Sequence, residues 1–122
     1  MVLLAIPKTG RPAVTLDGSG IADGTRVAVI GYPARDDVRN PIFTAAVFGT
    51  RFGVKRAALG EVLDGTATPT LFHDCSTLGG NSGSPVFTLD GCRVVGIHRS
   101  GFFMYRNEAV DGGSLDAFVR GT

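Results

Sequence analysis

The chain of 122 residues has no tryptophan, only two cysteines and two histidines, and no long apolar run. No Cys–Cys or His–His pair has the close spacing of a zinc site, and we expect neither a metal nor a cofactor. No apolar segment approaches the ~20 residues that cross a bilayer, so we expect no contact with membranes. The net charge of +1 gives no electrostatic basis for binding nucleic acid.

Glycine and short apolar segments are what the sequence has in abundance. Eighteen glycines, six prolines, 43% hydrophobic and 19% charged residues describe a turn-rich globular chain whose length fits one domain. Apolar segments with strand character alternate with turn dipeptides such as Asp64-Gly65 and Asp90-Gly91, the second of which predicts a hairpin. The predicted strands lie at about 2–6, 26–32, 42–48, 60–64, 70–74, 84–89, 93–98 and 107–110.

A short helix is expected at the end of the chain. Ser114 can cap it, and Leu115, Phe118 and Val119 would form its one apolar face. The sequence therefore predicts an all-β fold followed by a C-terminal helix.

The segment 77–85 carries the strongest chemical signal, because it places a serine in a glycine-rich turn just before an apolar strand. A tetrahedral intermediate needs two backbone N–H donors on its oxyanion while the attacking hydroxyl projects from the same turn. Gly80 and Ser82 would supply these donors, with Ser82 as the nucleophile. Gly83 allows backbone dihedrals closed to other residues, and Asn81 can support the turn through its amide. This pattern indicates the nucleophile loop of a serine hydrolase.

The motif Gly80-Asn81-Ser82-Gly83-Ser84-Pro85 resembles the signature of trypsin-like serine peptidases, in the form found in V8-type glutamyl endopeptidases and related bacterial trypsin-like peptidase domains. Further segments resemble the same group in the same order and extend the resemblance over most of the chain. They are Val27-Ala28-Val29-Ile30-Gly31-Tyr32-Pro33, His73-Asp74-Cys75-Ser76-Thr77, Val94-Val95-Gly96-Ile97-His98 and Asn107-Glu108-Ala109-Val110.

The resemblance implies that residues 1–122 form the C-terminal, nucleophile-bearing barrel of such a peptidase, an antiparallel Greek-key β-barrel. In that family the histidine base and the aspartate that orients it come from an N-terminal barrel, which is expected to be missing here. Val2-Leu3-Leu4-Ala5-Ile6 resembles the strand that follows the triad aspartate. We therefore expect the isolated chain to be inactive. Its expected partners are a peptide or protein substrate and the missing barrel, from the same precursor or from another chain.

Other schemes remain open at this point. The chain could be a non-catalytic peptide-binding module or one half of a split peptidase, and an exposed barrel face could form a homodimer. His98 could serve Ser82 as base with Asp111 or Asp116 orienting it, although the helices of an α/β-hydrolase are not expected. The dipeptide His73-Asp74 lies in a strand that leads to the serine segment, which indicates a structural role.

The resemblance also suggests substrate contacts. Thr77 and His98 align with the pair that contacts an acidic side chain in glutamyl endopeptidases, and both can donate hydrogen bonds to a carboxylate. Arg99 adds a positive charge beside them. Arg99, Ser100 and Gly101 match the edge on which such peptidases pair an extended peptide. These residues predict cleavage after Glu or Asp.

The two cysteines, Cys75 and Cys92, do not match the usual bridges of the family, and we expect two free, buried thiols. The resemblance implies an extracellular protein, whereas the free thiols and the absence of a signal sequence after Met1 would also suit the cytoplasm.

Overall fold

Short segments separated by turns form the strands of this molecule. The structure, a computed structural model, describes residues 1–36, 38, 41–102 and 104–121. Its elements are β1 (Arg26–Gly31), α1 (Pro41–Phe48), β2 (Arg56–Asp64), β3 (Thr70–His73), β4 (Pro85–Thr88), β5 (Val94–Phe102), β6 (Arg106–Asp111) and α2 (Gly112–Arg120). Within these residues the strands close into an antiparallel barrel in the order β1-β2-β3-β6-β5-β4. The all-β barrel with a C-terminal helix is confirmed.

The centre of the barrel is filled by apolar side chains that come from all of its strands. Leu71 and Val86 have no exposed surface, and each such burial contributes ~1.5–3 kcal/mol relative to exposure. This packing fixes the register of β3, β4 and β5, which carry the candidate site. The buried cluster consists of Val27, Val29, Val62, Leu71, Cys75, Val86, Val95 and Ala109.

One edge of β5 extends beyond its neighbour. β4 pairs with β5 only from Phe87↔Val94 to Pro85↔Ile97. On its other side β5 stays paired with β6 as far as Phe102↔Arg106. Residues 99–102 therefore have a strand on one side only, within the described part of the chain. β5 is four residues longer than the predicted end at 98, and β2 begins four residues before the predicted start at 60.

The strand predicted at 42–48 is wrong, because this segment forms α1. Its apolar residues are continuous rather than alternating, so they give no strand periodicity. Pro41 suits the first helical position, where its missing N–H costs nothing. Thr44 and Phe48 are one helical turn apart and form the buried face. Gly49, with a φ of +65°, ends the helix, and its N–H donates to the carbonyl of Ala45.

The strand predicted at 2–6 is also wrong. Residues 1–14 have no strand partner among the described residues, and Val2, Leu4 and Ile6 are exposed. The first pairing comes later, where Leu16 forms a parallel bridge with Val94. An apolar sequence forms a strand only when another strand offers hydrogen bonds and cover.

The cap predicted for α2 is displaced by three residues. Asp111, not Ser114, is the N-cap, and its carboxylate accepts from the backbone N–H of Ser114 at 2.8 Å. The Ser114 hydroxyl donates to the other carboxylate oxygen at 3.0 Å. In the described part of the chain, no helix has the length and apolar composition needed to cross a membrane.

The two cysteines are free, as predicted, but only Cys75 is buried. Burial raises the pKa of the Cys75 thiol to about 11. Cys92 is exposed in the turn between β4 and β5, at a φ of +49°, so the expectation of a buried Cys92 is wrong. A turn residue held outside the strands has no core to pack into.

Candidate active site

The segment 77–85, called here the serine loop, connects β3 to β4. Gly80 and Gly83 lie on either side of Ser82 with φ values of +91° and +86°, which a side chain disfavours. The turns they make leave Ser82 exposed at the tip of the loop. Among the described residues, no backbone carbonyl accepts from the N–H of Gly80 or of Ser82. A hydroxyl and two open N–H donors therefore lie within three residues of each other.

The loop rests on β1 through two buried polar side chains. Asn81 and Ser84 are 4% and 8% exposed, and the Ser84 N–H donates to the Asn81 carbonyl at 2.9 Å. Both side chains lie against Gly31, where an added Cβ would be 2.5 Å from Asn81 Oδ1 and in collision with Ser84 Oγ. Asn81 thus supports the loop by packing against β1.

Hydrogen bonds on both sides of Ser82 attach the loop to β5. The Gly83 N–H donates to the His98 carbonyl at 2.8 Å, and the His98 N–H donates to the Ser84 carbonyl at 2.8 Å. The Ser82 hydroxyl itself donates to the carbonyl of Arg99 at 3.0 Å. The position of the hydroxyl is therefore fixed relative to the unpaired edge of β5.

A cleft of about 530 Å³ opens beside Ser82. Thr77, Ser100 and Gly101, predicted from the sequence as substrate contacts, line it together with His98 and Ser82. Arg99 does not. The complete described lining is Arg35, Asp36, Val38, Thr77, Leu78, Gly79, Ser82, His98, Ser100, Gly101 and Asn107.

Asn107 of β6 is a cleft residue that the sequence did not single out. Its Nδ2 donates to the Cys75 carbonyl at 2.6 Å, and its Oδ1 accepts from the Thr77 hydroxyl at 2.8 Å. The partners lie about thirty positions away in the sequence, so no local motif links them. Only the pairing of β6 with β3 and β5 brings Asn107 to the cleft.

Behind the cleft, His98 meets a second imidazole. Its Nδ1 lies 3.2 Å from Nε2 of His73, and the residues are 3% and 0% exposed. Burial, with a smaller contribution from the neighbouring His98, lowers the pKa of His73 to about 4. Burial also lowers the pKa of His98. Both imidazoles are therefore neutral at pH 7.

Comparison with known protein families agrees with this geometry. A family model described as the trypsin-like peptidase domain matches residues 1–97. The chain belongs to this family. No curated protein sequence matches it.

The fold of this trypsin-like peptidase domain is similar to that of a solved protein. A crystal structure of Rv3671c from M. tuberculosis H37Rv, an inactive form of a serine-to-alanine mutant, matches with a TM-score of 0.65 and 16% identity. The match covers 96% of this chain and 56% of that chain, so this chain spans little more than half the length of the solved one. At this identity the likeness shows the fold alone.

Within the described part of this trypsin-like peptidase domain, no imidazole hydrogen-bonds to Ser82. His98 faces His73 with Nδ1. Asp111 caps α2, and Asp116 pairs with Arg120 at 2.6 Å, so neither carboxylate orients His98. The scheme with His98 as base and either aspartate as its partner has no support in these contacts.

The other predicted residues of the domain have structural contacts of their own. Arg99 forms an ion pair with Glu108 at 2.9 Å, and the Ser100 hydroxyl donates to the same carboxylate at 3.1 Å. The Asp74 carboxylate accepts from the Glu61 N–H at 2.6 Å, which places His73-Asp74 in the barrel framework. Among the described residues no group of three or more His, Cys, Asp or Glu could hold a metal ion.

Proposed function

We propose that this domain is the nucleophile-bearing barrel of a serine endopeptidase. Ser82 attacks the scissile carbonyl and forms an acyl-enzyme, which water then hydrolyses. The observation that carries this proposal is the exposed Ser82 hydroxyl, placed between a glycine-shaped turn and the cleft. The N–H groups of Gly80 and Ser82 form the oxyanion hole, and Asn81 keeps their turn in place.

The peptide substrate lies along the unpaired edge of β5. Backbone groups of residues 99–101 pair with it as an added strand. The Arg99 carbonyl, which accepts the Ser82 hydroxyl at 3.0 Å, then becomes available to a substrate N–H. Peptide binding therefore frees the Ser82 hydroxyl from its bond to the Arg99 carbonyl.

The histidine base and its aspartate come from a partner barrel, in the same precursor or in another chain. Support comes from the described residues, where neither His73 nor His98 hydrogen-bonds to Ser82. Loss of the base alone lowers turnover about as much as loss of the whole triad, on the order of 10⁶ in a well-studied serine peptidase. This barrel by itself is therefore expected to be inactive.

For the residue on the acyl side of the cleaved bond, P1, we propose a side chain that ends in a carbonyl or carboxyl oxygen. Glu and Asp are the members that the resemblance implies. The support is the position of Thr77 and His98 in one cleft beside Ser82. Arg99 contributes less than the sequence suggested, because its charge is paired with Glu108.

A second candidate function is a non-catalytic peptide-binding module. It is favoured by the bond from the Ser82 hydroxyl to the Arg99 carbonyl, which holds the hydroxyl in a resting position. The same edge and cleft would then bind a peptide without cleaving it.

Peptide hydrolysis by the full gene product separates the two candidates. We expect turnover of an unbiased peptide library, lost on Ser82→Ala and retained on Ser76→Ala, an exposed serine outside the loop. Turnover that survives Ser82→Ala contradicts the assignment of the nucleophile. Peptide binding without turnover supports the binding module.

A further inference from the structure

The side-chain amide of Asn107 can have only one orientation. Its neighbour on one side is the Cys75 carbonyl, 2.6 Å away, and a carbonyl can only accept a hydrogen bond. The atom that faces Cys75 must therefore be Nδ2. The amide oxygen, Oδ1, is then fixed on the opposite side, toward Thr77.

This orientation determines whether the Thr77 hydroxyl donates or accepts hydrogen bonds in the cleft. The Thr77 hydroxyl lies 2.8 Å from Asn107 Oδ1, and because that oxygen only accepts, the hydroxyl must donate. A hydroxyl has one proton and two lone pairs. Toward the cleft, Thr77 presents lone pairs alone, so it accepts hydrogen bonds there.

Packing keeps Asn107 in this position. Gly101 is its partner across the β5–β6 ladder, and a Cβ on Gly101 would collide with Asn107 Oδ1. The amide therefore occupies the space that glycine leaves open in the wall of the cleft. Rotation of the amide would break both of its hydrogen bonds and leave buried polar groups unpaired, which is unfavourable.

His98, which lines the cleft together with Thr77, carries no charge. His98 is neutral at pH 7 because burial lowers its pKa, and its Nδ1 faces His73. At the position between Thr77 and His98, an ionised carboxylate would thus meet the lone pairs of Thr77 and a neutral imidazole. A carboxamide matches this pair better, since its NH₂ donates to Thr77 and its oxygen accepts from an imidazole N–H.

We propose that Asn107 is a specificity-determining residue, which makes Thr77 a hydrogen-bond acceptor and thereby directs the cleft toward P1 glutamine or asparagine rather than ionised glutamate or aspartate. This inference rests on the proposed function and selects a member of the P1 class named there. Asn107 acts through Thr77 and is not itself a catalytic residue.

Binding of two matched peptides tests the proposal. Fluorescence anisotropy at pH 7 compares peptides that differ only in Gln or Glu at P1, on the full gene product with Ser82→Ala so that neither is cleaved. We expect the Gln peptide to bind about fivefold more tightly, the value of one net hydrogen bond. Thr77→Val, which removes the acceptor, and Asn107→Ala, which frees the Thr77 proton, should each reduce the ratio to about one. Thr77→Ser keeps the hydroxyl and should preserve the ratio.

Several results would overturn the inference. These are equal or tighter binding of the Glu peptide, binding of neither peptide, and a Gln preference that survives both Thr77→Val and Asn107→Ala. If one of these variants fails to fold, the proposal is judged from the ratio of Gln-peptide to Glu-peptide affinity, measured in the unsubstituted cleft and in the variant that folds. Labelling of Ser82 by a fluorophosphonate does not depend on the P1 residue. It therefore tests whether Ser82 is a nucleophile independently of the P1 preference. An adduct with no Gln preference defeats only the inference about Asn107.

Discussion

Among single residues, Gly31 bears most directly on the serine loop, because its missing side chain makes room for Asn81 and Ser84. We expect Gly31→Ala to destabilise the protein by about 1–3 kcal/mol, the usual cost of inserting a methyl group into a packed site. The measurement is the urea midpoint of the variant against the unsubstituted chain.

Gly79→Ala is the matched control. Gly79 lies in the same loop, but a Cβ there would meet no atom within 4 Å, and its φ is outside the left-handed region. Its urea midpoint should stay within about 0.5 kcal/mol of the parent. Equal midpoints for the two variants would show that the loop does not rest on Gly31.

The pair formed by His73 and His98 makes stability depend on pH. Burial lowers the pKa of His73 from its ordinary 6.5 to about 4 in the folded chain, so between these values the unfolded chain binds a proton that the folded chain does not. The free energy of unfolding should therefore fall as the pH decreases from 6.5 to 4, by about 3 kcal/mol in total. Urea unfolding at pH 7 and at pH 4.5 measures most of this loss.

Substitution of His73 separates its contribution to the pH dependence of the free energy of unfolding from that of the carboxylates. In His73→Gln the loss between pH 7 and pH 4.5 should shrink, with a remainder from His98, whose pKa is lowered in the same direction. An undiminished loss in the variant would assign the pH dependence to other groups.

The site could be predicted at residue level only where it is local in sequence. The turn around Ser82 follows from glycines at 80 and 83, because their positive φ is a property of the segment itself. Asn107 could not be found this way, since its role depends on Cys75 and Thr77, which β-sheet pairing brings to it. The ion pair of Arg99 could not be predicted either, because its partner Glu108 lies across the ladder.

At the level of elements, α2 is fixed to the barrel by its first turn. Asp111 is both the last residue of β6 and the N-cap of α2. We expect Asp111→Ala to cost about 1 kcal/mol, because it leaves the Ser114 N–H without its acceptor. Thermal or urea unfolding checks the value.

Ser114→Ala distinguishes the observed cap from the one predicted by sequence. The Ser114 hydroxyl only donates to the capping carboxylate, so its loss should cost less than the loss of Asp111. A larger effect for Ser114→Ala would favour Ser114 as the cap.

The barrel strands could be predicted from sequence, whereas α1 and the start of the chain could not. Alternation and turn dipeptides locate β1, β3, β4 and β6 within two residues, because each packs one face on the core. The segment 41–48 is apolar on all sides and therefore fits a strand or a buried helix equally well. Pro41 and Gly49 at its ends were the signals that favoured the helix.

For the molecule as a whole, the exposed apolar segment at residues 2–6 is the surface that we expect to cause association in solution. Val2, Leu4 and Ile6 are 81%, 80% and 73% exposed, and contiguous apolar surface of this kind promotes association. We expect the purified 122-residue chain to form dimers or larger species as its concentration rises. Sedimentation velocity over a concentration series measures this.

A charged variant tests which surface is responsible. Leu4→Lys with Ile6→Lys should shift the chain toward the monomer, while the fold measured by circular dichroism stays the same. If the double variant associates as strongly as the parent, a different face of the barrel forms the contact.

We propose that Ser82 is a nucleophile activated by groups from a partner barrel. Intact-mass analysis after exposure to a fluorophosphonate tests it most directly, on the full gene product, its Ser82→Ala variant and the 122-residue chain. We expect a single adduct on the full gene product, none on the variant and none on the 122-residue chain. An adduct that persists in Ser82→Ala would contradict the assignment of the nucleophile. The absence of an adduct on the full gene product would contradict activation by a barrel of the same precursor. Labelling of the 122-residue chain would contradict the need for a partner barrel.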